Sequence, residues 1–341
     1  MSKVIIYAPN VHFGGGAVLL KELLRSCPTD KKIVFILDER YKSYSDVGDN
    51  INALYFSSSI YGRIEAELYV RKNSTHQDHI VCLHNIPTIF NHRGKLTVFL
   101  QNRLIVDRES RYGCGYKAKI KLNLESYLMK LRGRGGTVSY IVQTESMAQG
   151  LRRLLGMKAP DIKVLPFAGS SILSKHAKQK VLTDYIYVAS AEPHKNHQNL
   201  LEAWEILMTQ YGQLPRLQLT IPPNAVSLKQ TIEIYKKKGL KIDNLGTLEH
   251  EQVLESLCRA KALIYPSKTE SFGLPLIEAM SLNVPILASE LDYVRDVSVP
   301  TETFDPNSPL SIARAVARYE GYEKKPREVL SSVFFWNAIL R

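Results

Sequence analysis

Glu270 and Glu278 stand eight residues apart in KTESFGLPLIEAM, on either side of a glycine and a proline. The preceding ALIYP reads as a strand ending at Pro266, and a helix begins near Gly273 to Pro275 with Ser271 as its candidate cap. Proline fits a first turn, where its missing N–H goes unused. Glu270 then lies in the loop. Glu278 lies early in the helix, where the positive end of the macrodipole favours a carboxylate. Backbone N–H groups across Ser271, Phe272, Gly273 and Leu274 can hold a phosphate, and two nearby carboxylates suit ribose and sugar hydroxyls. The combination reads as a nucleotide-sugar site. A capped helix with an ordinary glutamate accounts for the same spacing.

Other polar residues occupy equivalent places. Lys195, in SAEPHKNHQNLLEAW, lies between a strand and a helix, where its ammonium can reach a diphosphate as a point charge. His194 and His197 flank it three apart with no third ligand nearby, so structural roles outrank a metal pair. NVHFGGGAVLLKELL places Gly15 and Gly16 between a strand and a helix, where the chain can approach a phosphate or an acceptor closely. The run lacks the G-x-G-x-x-G spacing of a dinucleotide site, which argues against a nicotinamide enzyme. CLHNIP and FLQNRL end two apolar strands in His84, Asn85, Gln101, Asn102 and Arg103.

These residues need a frame. KVIIYAP, KKIVFILD, HIVCLHN, KLTVFLQN, VSYIVQTE and IKVLPF are apolar throughout rather than alternating, as strands of a parallel sheet covered on both faces are. DYIYVAS, RLQLTIPP, KALIYPS and VPILAS form a second series separated by helical patterns. The polar AGSSILSKHAKQK is the linker between them. The expectation is two α/β domains, 1–168 and 169–321, each with a parallel sheet, facing one another across a cleft. Ligands of open parallel sheets sit at the carboxyl ends of the strands, where every residue above is placed.

PSKTESFGLPLIEAMSLNVPILAS resembles the motif of the family 4 retaining glycosyltransferases, Glu-x7-Glu followed by a Gly/Asn-x-Pro strand. The resemblance implies the GT-B fold of two facing Rossmann-like domains and a nucleotide-sugar donor, GDP- or UDP-linked, with no divalent metal or other cofactor. It implies that Glu278 binds the donor ribose and that Glu270 contacts the transferred sugar. Lys195 matches the lysine of the family's basic pair, whereas Ala191 occupies the place of its arginine. Backbone around Gly246 to Leu248 would hold the base. Family members often carry a histidine at an N-domain strand end. Asn102 stands there, and His84 is an active-site contact or a structural histidine. Asn85, Gln101 and Arg103 fall on the acceptor or phosphate side. The closing SSVFFWNAILR resembles the family's last helix, expected over about 322–341 and crossing back to the first domain.

Charge is uneven. Residues 1–165 hold 25 Lys and Arg against 14 Asp and Glu, and the remainder hold 20 against 19. A basic half implies an anionic partner. YKAKIKLNLESYLMKLRGRGG places Ile120, Leu124, Leu128 and Leu131 on one helical face, with Lys117, Lys121, Arg132 and Arg134 among its flanking cations. Such a helix docks on an anionic membrane, or covers the core with a solvated basic side. No recognition module points to nucleic acid. The four cysteines are scattered without a CxxC pair, as free thiols in a reducing compartment are. No apolar run approaches 18 residues, so a cytoplasmic protein, peripheral on the inner membrane face, is expected. The reading is a retaining hexosyl- or deoxyhexosyltransferase acting on a saccharide acceptor, lipid-linked, in bacterial lipopolysaccharide, O-antigen or capsule synthesis. The alternatives are a nucleotide-sugar-binding scaffold subunit, favoured by Ala191, and a GT-B epimerase or phosphorylase.

Overall fold

A computed structural model describes residues 2–12, 14–44, 51–108, 111, 114–133, 138–156, 161–167 and 183–323. The first half runs β1 (Val4–Ala8), α1 (Gly14–Arg25), β2 (Ile33–Asp38), β3 (Asn52–Phe56), α2 (Ile60–Asn73), β4 (His79–Cys82), β5 (Lys95–Phe99), α3 (Arg103–Val106), α4 (Tyr116–Gly133), β6 (Val138–Val142), α5 (Glu145–Leu155) and β7 (Ile162–Val164). Its strands form one parallel sheet ordered β3-β2-β1-β4-β5-β6-β7.

The second half runs β8 (Thr183–Tyr187), α6 (His197–Tyr211), β9 (Leu217–Leu219), α7 (Val226–Lys237), β10 (Ile242–Asn244), α8 (His250–Arg259), β11 (Ala260–Tyr265), α9 (Leu274–Ser281), β12 (Ile286–Ser289), α10 (Asp292–Arg295), β13 (Glu302–Phe304) and α11 (Pro309–Glu320). Its parallel sheet is ordered β10-β9-β8-β11-β12-β13. The architecture is α/β with two Rossmann-like sheets. The expected linker and the residues after 323, including the expected closing helix, lie outside the described residues.

The apolar strand runs are buried because helices cover both faces of each sheet. In the first half, α1 packs on one face through Leu19, Leu20 and Leu24, against Phe35 and Leu37. Helices α2, α4 and α5 cover the other face, where Ala66, Val70, Leu122, Met129 and Leu151 join Ile5, Ile80 and Val98 in one cluster. The second half has a single cluster centred on Tyr185, Trp204, Leu263 and Leu287. All four cysteines are free, with Cys82 and Cys258 buried.

One sequence expectation changes here. The core-facing alternative for the α4 stripe does not hold: Ile120, Leu124 and Leu131 are exposed, while Leu122, Ser126 and Met129 turn inward. The inward stripe carries a serine because Ser126 Oγ shares its one proton between Leu122 O and Ile105 O and accepts from the buried Arg111 guanidinium. Strand β3 and helix α2 carried no clear pattern. Strand β3 is a half-exposed edge, and α2 has apolar residues on both faces, which erases the 3.6-residue period.

Candidate active site

The strand order reverses direction at β1/β4 in the first sheet and at β8/β11 in the second. Loops after those strands diverge, leaving the crevice in which ligands of such sheets bind. The two crevices open into one cleft of about 700 Å³. Its walls come from the turn after β1 (His12, Gly15, Gly16), from Gln101 and Gln143, and from the loops after β8, β10 and β11. That volume suits a nucleotide-sized ligand.

Glu270 and Lys195 meet in this cleft. Lys195 Nζ donates to both carboxylate oxygens, at 2.7 and 2.9 Å. Ser267 Oγ and Tyr265 Oη also donate to Glu270 Oε1, at 2.6 and 3.1 Å. Burial pushes the Glu270 carboxyl up, but the Lys195 ammonium and the Ser267 hydroxyl outweigh it and hold the group below its ordinary range. The loops themselves are pinned. Tyr187 Oη donates to Lys195 O, Tyr293 Oη to Ser267 O, and Lys268 N to His194 O. Asn196, left-handed at φ 62°, donates its side-chain amide to Pro266 O and Pro306 O. His197 is buried beside Tyr187, and burial drives its pKa down to about 3, so it stays neutral.

Glu278 is the fifth residue of α9 and lines the same cleft, almost fully buried. It is not alone. His250 Nε2 lies 3.0 Å from Glu278 Oε1, and that hydrogen bond raises the imidazole pKa against the opposing effect of burial. His250 is the first residue of α8, held by a reciprocal capping box between Glu249 and Gln252. Sequence reasoning missed His250. Its 28-residue separation from Glu278 offers no local signal.

The start of α9 differs from the expectation. Gly273, at φ 72°, is the N-cap residue and Pro275 falls in the first turn, but Ser271 does not cap. Its Oγ instead accepts from Arg103 N across the cleft, at 3.0 Å. No side chain caps α9, and Gly273 and Leu274 line the cleft. That leaves the helix start to an anionic ligand. From the other wall, a Cβ built on Gly15 would stand 3.5 Å from Leu274 Cδ1, and one on Gly16 would stand 3.2 Å from Gln101 Oε1. Ser271, Phe272, Leu248 and Gln101 also line the cleft, whereas Gly246 is a turn residue at φ 75° outside the lining.

Several N-terminal candidates are engaged elsewhere. His84 is buried, edge-on to Tyr7 with ring centroids 4.9 Å apart, and is absent from the cleft lining. Burial, with the Arg63 charge, takes its pKa down to about 3. Asn102 caps α3 by accepting from Leu104 N at 3.0 Å. Asn85 is left-handed, and its Oδ1 accepts from Gln101 N and Asn102 N at 2.6 and 2.8 Å. The Arg103 guanidinium meets Asp107 and Ser146. Asn85 and Asn102 hold the strand ends together by turn and cap bonding, whereas His84 is held by burial and its ring contact with Tyr7. Ala191 packs beside the second core and does not line the cleft. Lys21, from the middle of α1, does line it, alongside Lys195. Of the basic-helix candidates, Lys117 and Lys121 are exposed and Arg132 binds Asn91 and Phe90 O, while Arg134 lies outside the described residues. No group of three or more His, Cys, Asp or Glu side chains among the described residues is arranged to hold a metal ion.

Comparison with known proteins places this geometry. Residues 171–331 match the family model for glycosyl transferases group 1. The chain is 32% identical over 114 residues to O-antigen chain mannosyltransferase B of Escherichia coli, covering 33% of this chain and 30% of that protein. It spans between 16% and 35% of the length of its mannosyltransferase relatives from Escherichia coli and Salmonella typhimurium. Sucrose-phosphate synthase from Thermosynechococcus elongatus shares its fold with a TM-score of 0.72 at 14% identity, over 94% of this chain and 90% of that one. HepE of Anabaena, solved with UDP and glucose, gives 0.66 at 14%, over 94% and 91%. The fold is GT-B, and residues 171–331 within it match the model for glycosyl transferases group 1.

Proposed function

We propose that this chain is a retaining glycosyltransferase. It moves a hexose or deoxyhexose from a nucleotide-sugar to a saccharide acceptor, lipid-linked, in bacterial O-antigen or related surface-polysaccharide synthesis. The observation that carries the reading is the convergence of Glu270, Lys195, Glu278 and the uncapped start of α9 on one cleft, all from the matched residues 171–331. The mannosyltransferase names of the relatives favour a mannosyl donor, and the UDP complex of HepE makes UDP the second nucleotide to test. The same relatives' O-antigen names and the basic first half support the acceptor class and the location on the inner membrane face.

In this reading Glu278 accepts hydrogen bonds from the ribose, and His250 fixes which carboxylate oxygen is turned to it. Lys195 and the start of α9 receive the diphosphate, with Lys21 in place of the arginine that Ala191 lacks. Glu270 orients the sugar hydroxyls beside the anomeric carbon. The bond from the anomeric carbon to the phosphate oxygen breaks while the acceptor oxygen bonds to that carbon on the same face. The acceptor proton passes to the departing phosphate oxygen. Lys195 stabilises the charge developing on that phosphate.

The test is calorimetric titration with UDP, GDP and TDP and then their sugar conjugates, with Glu278→Ala as control. Binding of one nucleotide that the variant loses supports the reading, and nuclear magnetic resonance of the product then reports the anomeric configuration. Absence of binding by every nucleotide overturns it in favour of a scaffold subunit, which Ala191 would then mark.

A further inference from the structure

Helices α2 and α4 lie side by side on one face of the first sheet. Ala66 and Val70 of α2 and Leu122 and Met129 of α4 enter the same buried cluster. The segment between β4 and β5 closes the seam between them. Glu67 of α2 accepts from Ile89 N and Phe90 N at 3.0 and 3.1 Å, and Arg132 of α4 donates to Asn91 Oδ1 and Phe90 O. With their inner faces fixed in this way, the two helices turn their outer faces in a common direction, away from the sheet.

Those outer faces are apolar. On α4, Tyr116, Ile120, Leu124, Tyr127 and Leu131 follow a helical stripe and are 81%, 51%, 57%, 61% and 59% exposed. On α2, Ile60, Tyr61, Ile64 and Leu68 are 42% to 83% exposed, and Ile89 between the helices is 50% exposed. Scattered exposed apolar residues need no explanation, but a contiguous group from three adjoining segments does. Lys117, Lys119 and Lys121 are exposed beside the α4 stripe. Tyrosines at the rim and lysines around an apolar strip are the composition of a surface that lies in the headgroup layer.

We propose that the outer faces of α2 and α4, with Ile89 between them, form one platform that docks on an anionic lipid bilayer. The proposal deepens the reading of a lipid-linked acceptor and rests on that reading for its biological sense, though not for its surface. Topology adds a direction. Strands of a parallel sheet end together on the cleft side, and α2, which follows β3, begins there. Helix α4, whose last residue Gly133 is five residues before the first of β6, ends at the opposite side. The first residues of both helices, Ile60 and Tyr116, therefore lie toward the rim of the cleft. A bilayer under the platform brings a lipid-held saccharide to the acceptor side of the cleft.

The test is co-sedimentation of the whole chain with vesicles of phosphatidylcholine alone and of phosphatidylcholine mixed with phosphatidylglycerol. The expected result is binding to the mixed vesicles that falls as salt rises. Lys117→Glu with Lys119→Glu and Lys121→Glu lowers it by about a hundredfold. Ile64→Ser with Leu68→Ser, on the other helix, lowers it as well. All are exposed positions, so thermal unfolding of each variant matches the parent. No binding to mixed vesicles, or binding that the variants share with the parent, overturns the proposal. So does a parent that is dimeric in light scattering when the Ile64→Ser, Leu68→Ser variant is monomeric, because the platform is then an interface between copies. Nucleotide titration of the same preparations separates the two ideas. Vesicle binding without nucleotide binding sinks the transferase reading and leaves the platform standing, and the reverse result sinks only the platform.

Discussion

Lys195 Nζ holds both oxygens of Glu270, at 2.7 and 2.9 Å, in a cleft where the two side chains are only 14% and 11% exposed. Two groups expected to serve different parts of one donor neutralise each other in that cleft. A buried pair of this kind offsets its own desolvation only while both members are present. Lys195→Met therefore destabilises the protein by about 3 kcal/mol. Adding Glu270→Leu restores most of the loss. Chemical denaturation of the two single variants and the double variant measures the coupling, and a coupling near zero would show that the pair carries no structural load.

Glu278→Ala removes a nearly buried carboxylate from the cleft and leaves His250 without its partner. Loss of a hydrogen bond to a charged group lowers affinity for a nucleoside diphosphate by about ten- to a hundredfold. Calorimetry reads this directly. Unchanged affinity would remove Glu278 from the donor site.

Lys21 reaches the cleft from the first half of the chain. If its ammonium meets the diphosphate, Lys21→Ala weakens nucleoside diphosphate binding by about tenfold, or roughly 1.4 kcal/mol, and spares the nucleoside alone. Equal losses for both ligands would assign Lys21 to the base or to structure.

His250 gives the site a pH dependence. Its folded pKa is raised above the ordinary 6.5 by the hydrogen bond to Glu278. A raised pKa means that the folded state binds the proton more tightly. The contribution of the pair is complete below pH 6.5 and is lost as pH climbs through the raised value. His250→Gln keeps a donor without the charge. It should cost about 1 kcal/mol at acidic pH and nearly nothing in alkali. Denaturation at the two pH extremes is the check, and an equal cost at both would show that His250 acts by shape alone.

The frame was legible wherever a strand is covered on both faces, since KVIIYAP or KALIYPS has no other use for its continuous apolar run. It was illegible at α2, whose outward Ile64 and Leu68 mask the inward Ala66 and Val70. The α4 pattern was visible but was assigned either to a bilayer or to the core, and Ser126 shows why the core side could not be read from hydropathy. A buried serine that satisfies a buried arginine looks polar in a sequence and is interior in a fold. In the site, Glu270 and Glu278 announce themselves by local spacing. Lys195 is 75 residues from Glu270 and His250 is 28 from Glu278, so those pairings exist only after the sheets assemble. Asn102 lies outside the cleft lining for a related reason: a polar group at a strand end also serves the turn there, and nothing local separates the two uses. His84 is buried edge-on to Tyr7, a contact 77 residues apart in sequence.

Ser271 sits between Glu270 and Phe272 and takes part in two of the hydrogen bonds joining the halves, through Arg103 N at 3.0 Å and Thr144 Oγ1 at 3.5 Å. Ser146 N adds a third to Asp296, at 3.2 Å. Consecutive Cα atoms are fixed about 3.8 Å apart, so Glu270 cannot be displaced without drawing Ser271 along. The strip that would feel the sugar is thus the strip that fastens one half to the other. One loop carries both the buried carboxylate of the cleft and two of these three links between the halves.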